Sequence, residues 1–235
     1  MILCVGLVLF FVAGLTFVAG GDVVKAGYPV IEATVGDSML DVQRHSTHRF
    51  SFEGYDDDSP FVVETPVVLK YGRGADGFVF QPGSYLWISQ FGGRVHAIQY
   101  APHLEPLSWE QGVRMSWALM EQFNASPWKP ESSKTRSVEE VREDFDAATR
   151  ETYASKIQSW RLGDARLLLV LKRLRKPEDP EDPAQRETFI VVLTFDDWAL
   201  RDRLIEQVDK KRREHGSEND PLPLEHWLEG GGKIH

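Results

Sequence analysis

The body of this chain has no cysteine. The single cysteine among its 235 residues, Cys4, lies in the apolar leader, so no disulfide staples the fold and stability must come from a packed core. Charge is missing from the first 21 residues, where Thr16 is the one polar side chain. Catalytic signatures are missing as well. There is no Gly-x-Ser-x-Gly and no His-Glu-x-x-His, and the body offers no nucleophilic thiol. Gly72-Arg73-Gly74-Ala75-Asp76-Gly77 is Gly-rich but precedes a strand pattern, so it lacks the helix N-terminus that holds phosphate.

What is present starts with the leader. Ile2–Gly21 reads ILCVGLVLFFVAGLTFVAGG. At 1.5 Å per helical residue this run spans about 30 Å, the thickness of a bilayer core. Two readings stay open: a retained transmembrane anchor (residues 1–21), or a signal peptide cleaved near the small residues Ala19-Gly20-Gly21. Both place the body, residues 22–235, across the membrane. The expected location is the inner membrane with the body in the periplasm, or the periplasm or exterior after cleavage. The net charge of −9 argues against nucleic acid and suits a basic protein partner. It is unevenly spread. Residues 129–176 hold 12 Lys/Arg against 8 Asp/Glu, whereas Pro177–Glu187 (PEDPEDPAQRE) holds 5 acids and one Arg. The Pro-rich acidic run predicts an exposed loop.

Periodicity outlines the elements. Alternation predicts strands at Val30–Val35, His48–Phe52, Phe61–Val63, Val67–Tyr71, Gly77–Phe80, Tyr85–Phe91 and Arg94–Tyr100. Gly92-Gly93 supplies the positive φ that a two-residue hairpin turn needs. Ser108 with Gln111 forms a capping box opening a helix over 109–124. A second helix is expected from Ser137 to about Ser155, with Val138, Val141, Phe145, Ala148 and Tyr153 inward. Strands follow at Ile157–Leu162, Ala165–Leu174 and Thr188–Phe195. Asp196-Asp197 then cap a helix over 198–214. The expected fold class is α+β: an antiparallel sheet with helices packed on one face, preceded by the N-terminal hydrophobic helix. Strand-turn-strand-helix recurs, which leaves open two ββα-like halves, 22–128 and 129–235.

Chemistry-bearing residues are few. His45 and His48 fall on opposite sides of a strand and lack a completing ligand set, so surface histidines are expected. Asp56-Asp57-Asp58 lacks the glycine and glutamate of a calcium loop. His96, His103 and Glu105 form the one conceivable acid–base constellation. No metal and no cofactor is expected. Loops rich in Gly, Asp and Pro beside the hairpin aromatics give the candidate partner contacts. These are Arg73 and Asp76, the turn Gly92, Gly93 and Arg94, and the acidic Glu178, Asp179, Glu181 and Asp182.

From Gly77 to Trp128 the chain runs through a hairpin with a Gly-Gly turn, Tyr100-Ala101-Pro102, a helix opened by Leu107-Ser108 and Gln111, and Pro127-Trp128. This quarter of the chain resembles bacterial envelope immunity proteins that neutralise secreted antibacterial toxins. The resemblance implies a compact, non-catalytic α+β body behind a signal or anchor, and assigns no residue a role. The expected function is a non-enzymatic envelope binding protein that blocks a periplasmic toxin, held in the bilayer through residues 2–21. The alternatives are a membrane-tethered accessory or assembly subunit of an envelope complex and a hydrolase built around His96 and His103.

Overall fold

The computed structural model describes residues 27–50, 60–72, 77–146, 153–175 and 187–214. The apolar leader, Asp56–Asp58, Arg73, Asp76, Ala148 and the acidic Glu178, Asp179, Glu181 and Asp182 lie outside the described residues. Within them the chain is mixed α+β, mostly antiparallel, with four helices.

Seven strands form the main sheet: β2 (Pro60–Val63), β5 (Tyr85–Phe91), β6 (Arg94–Ala101), β7 (Lys129–Pro130), β8 (Ala154–Leu162), β9 (Ala165–Arg175) and β10 (Thr188–Asp196). Their order is β2-β5-β6-β10-β9-β8-β7, antiparallel throughout. β6 and β10 join at Leu193↔Tyr100 and Phe195↔Ile98, so strands from either side of residue 128 share one sheet. A smaller sheet sets β1 (Val30–Glu32) parallel to β3 (Val68–Tyr71), with β4 (Phe78–Val79) antiparallel beyond it.

The core fills the space between one face of the main sheet, the small sheet and two helices. α2 (Trp109–Asn124) buries Gly112, Ser116, Leu119, Met120 and Phe123. α3 (Val138–Asp146) buries Val141 and Phe145. Phe189 of β10 meets Phe145 at 5.3 Å and Trp109 at 5.4 Å between ring centroids. From the small sheet, Tyr71 stacks on Phe195 at 3.8 Å and Phe78 packs on Phe123 at 4.9 Å. Each such pair adds about 0.5–1.5 kcal/mol to the burial of its area. α4 (Trp198–Glu214) leaves the end of β10, where Asp197 caps it by accepting from the Leu200 amide at 2.7 Å.

Three expectations need correction. The stretch before Pro60 contains a helix, α1 (Met39–His45), capped by Ser38, whose hydroxyl accepts from the Asp41 amide. With only Met39 and Val42 buried, its seven residues offer too short a stripe to show periodicity. His48–Phe50 is irregular rather than a strand; Phe50 packs on Phe61 at 4.3 Å, and its carbonyl accepts from Gln43. Ala154 and Ser155 belong to β8 rather than to a helix, and Tyr153 is 64% exposed rather than inward.

Candidate protein-binding face

β8 reads ASKIQSWRL and β9 reads ARLLLVLKRLR. Neither strand contains a carboxylate, in a chain whose net charge is −9. Strand alternation sorts their side chains. Leu167, Leu169 and Leu171 are fully buried in the core, so Arg166, Leu168, Val170 and Lys172 face the other way. Cross-strand partners share a face. Lys156 pairs with Val170, Arg161 with Arg166, and Lys129 of β7 with Arg161. Five cations, Lys129, Lys156, Arg161, Arg166 and Lys172, therefore stand on the face turned away from the core.

A bulge makes this possible. Lys156 and Arg161 are five residues apart, which in a regular strand puts them on opposite faces. The register shifts between Lys156 and Gln158, so Ile157 faces the core as an extra residue and the two cations align.

Like charges directly opposite one another destabilise a sheet. Here the compensating acids sit lower than the cations. Arg161 donates to Glu131 at 2.6 Å, with side-chain exposures of 58% and 25%. Arg166 donates to Asp196 at 3.0 Å, with 37% and 5%. The Glu131 carboxyl is held below its ordinary range, first by the Ser159 hydroxyl and then by Arg161. Lys129, Lys156 and Lys172 make no ion pair among the described residues, and the buried Nε of Arg166 has no partner among them. At the β9 end of the face, Arg203 of α4 reaches Asp164 at 3.4 Å and Asp197 at 3.8 Å. Trp198 is half exposed at the start of the same helix.

Beside β8 lies an open cleft of about 290 Å³ lined by Ser132, Lys134, Arg136, Lys156, Ile157 and Gln158. The Arg136 guanidinium is anchored to Asp144 at 2.6 Å and to the Glu140 carbonyl at 2.6 Å. This bond keeps the Asp144 carboxyl below its ordinary range. Lys156 belongs to both cleft and face.

Of the sequence-chosen contacts, Gly92, Gly93 and Arg94 are described, and they lie away from this face. Gly92 and Gly93 take the expected positive φ, +55° and +75°. They are buried rather than displayed, because the chain from Gly36 to Met39 lies across them. The Met39 amide donates to the Gly93 carbonyl at 2.8 Å and the Gly36 amide to the Val95 carbonyl at 2.8 Å. Arg94 is partly buried and donates to the Gly36 carbonyl. The histidines do not converge into a constellation. His45 ends α1 with Nδ1 2.8 Å from the Asp41 carbonyl, and His48 stacks on Phe50. His96 lies at a register shift against Trp198. His103 has both ring nitrogens engaged: Nε2 accepts from the Val191 amide at 3.1 Å, so Nδ1 carries the proton donated to the Glu105 carbonyl at 2.8 Å. No group of three or more His, Cys, Asp or Glu able to hold a metal occurs among the described residues.

Burial pushes the His103 imidazole below its ordinary value near 6.5. The unfolded chain therefore takes up this proton before the folded one does. The contribution is complete above pH 6.5 and declines as pH falls towards the depressed folded value. Melting temperature should drop between pH 7.5 and 5.5, and His103→Gln should flatten part of that slope. Equal slopes in the two proteins would contradict the assignment.

Comparisons with protein-family models, with curated proteins and with solved structures return no match. Among the described residues no helix is long and apolar enough to cross a membrane.

Proposed function

We propose that this chain is a non-enzymatic binding protein of a bacterial envelope that neutralises a secreted antibacterial toxin by covering it. Residues 2–21 serve as the hydrophobic anchor that holds the body at the inner membrane, or as the signal that releases it into the periplasm. The observation that carries the reading is the one-sided cation array on β8 and β9. It is a charge pattern mounted on hydrogen-bonded strands of the main sheet, and a recognition surface needs that rigidity. The engagement of both His103 nitrogens in backbone hydrogen bonds adds support.

The test is co-culture of a deletion strain with its parent. The deletion strain should be killed by the parent's secreted toxin, and the chain supplied in trans should rescue it. Exchange of residues 1–21 for an unrelated membrane anchor should keep the rescue, because the anchor acts as a tether. Rescue lost on that exchange, at equal protein level, would favour an assembly subunit whose membrane helix packs against other helices.

A further inference from the structure

We infer that the outward face of the β8–β9 ribbon is the docking surface for an acidic protein segment. This inference rests on the binding function proposed above and reverses the partner charge that the net composition suggests. Four observations carry it.

First, the cations are aligned by the bulge at Ile157, a local irregularity that re-aims Lys156 onto the face of Arg161 and Arg166. Second, Arg161 stands directly opposite both Lys129 and Arg166, a like-charge row that costs stability in the free protein and is relieved by an incoming anion. Third, the acids that partly neutralise the row are recessed, so the outermost charge is positive. Fourth, donors are left over: the ammonium groups of Lys129, Lys156 and Lys172 make no ion pair among the described residues. Between the cations Leu168 is half-buried, which gives an incoming chain an apolar contact as well as charge. Protein fits this mixture better than a bilayer surface does. The chain's net charge of −9 repels anionic headgroups at long range, whereas a peptide engages the ribbon alone.

The test uses the full chain in neutral-detergent micelles and a fluorescein-labelled peptide of alternating Glu and Leu, read by fluorescence anisotropy. The wild type should bind, and more weakly as salt rises. Lys156→Glu with Lys172→Glu should weaken binding at least about tenfold with an unchanged melting temperature, since neither lysine makes an ion pair among the described residues. A Lys/Leu peptide should not bind. The inference is overturned if the wild type ignores the acidic peptide, or if the double variant binds it equally well. It is also overturned if vesicles of phosphatidylcholine with phosphatidylglycerol are bound with the same lysine dependence, which would make the ribbon a membrane-contact face. Failure here leaves the toxin-neutralising function to be decided by the co-culture, which does not depend on where the partner docks.

Discussion

Gly83→Ala is expected to destabilise the protein by about 3 kcal/mol, the upper end for overpacking and a large fraction of the stability of an ordinary domain. A Cβ at this position would stand 2.2 Å from the Ala101 carbonyl oxygen and 2.7 Å from the Tyr100 ring. The first neighbour is backbone and cannot swing away. Gly83 is also fixed on its other side: its amide donates to the Val67 carbonyl at 2.8 Å and its carbonyl accepts from the Val67 amide at 3.1 Å. Any shift that makes room therefore opens the bridge between the two sheets. It also displaces Tyr100, whose hydroxyl reaches the Val67 and Gln81 carbonyls at 2.8 and 2.6 Å. Gly163→Ala is the control. Nothing lies within 4 Å of its Cβ position, and only the left-handed φ of +61° is strained, which costs about 1 kcal/mol. Denaturant titration of both variants checks the pair; equal costs would mean that the Gly83 contact is not tight.

The second large effect lies at Glu187. Arg173 is only 7% exposed, on the core side of β9, with its guanidinium 5.5 Å from the Phe145 ring centroid. Glu187 is its counter-ion at 3.1 Å and also accepts from Arg142 at 2.9 Å. Arg142 in turn lies over the Trp109 ring. Glu187→Ala leaves a buried cation without its charge partner and should cost about 3 kcal/mol, the low end for a broken buried pair, because Glu187 keeps a fifth of its surface. Replacing the pair together, Arg173→Met with Glu187→Leu, should recover most of that loss, since apolar side chains of similar volume replace buried pairs at little cost. A double-mutant cycle measures the coupling. Strict additivity would show that the two groups stabilise independently.

Local signals were the legible part of the fold. The bounds of α2 follow from the Ser108–Gln111 capping box and from Pro127, and both are features of neighbouring residues. The Tyr85–Phe91 and Arg94 strands follow from alternation around Gly92-Gly93, and the two glycines have the positive φ that the turn requires. Their burial was not legible, because the residues that cover them, Gly36 to Met39, lie more than 50 positions away in the chain. The helix expected up to Ser155 overran because the apolar spacing of Val138, Val141 and Phe145 continues to Tyr153 by coincidence; Tyr153 faces solvent.

The candidate face shows the same division. The basic excess of residues 129–176 is plain in the sequence, but excess alone does not say which way each side chain points. Period-two counting separates Lys156 from Arg161. Only the bulge at Ile157 brings them together, and a bulge has no reliable sequence mark here. The exposed loops chosen from composition, by contrast, rest on the premise that Gly, Asp and Pro lie at the surface. Gly92 and Gly93 break that premise, because a tight turn can be overlaid by another segment.

The most direct measurement is rescue of the deletion strain in co-culture with its parent, by the wild-type chain and by the Lys156→Glu, Lys172→Glu variant at equal protein level. Full rescue is expected from the wild type and loss of rescue from the variant, whose melting temperature stays that of the wild type. A deletion strain that grows unharmed beside its parent would contradict the toxin-neutralising function. A variant that rescues as well as the wild type would contradict the β8–β9 face as the place where the partner binds.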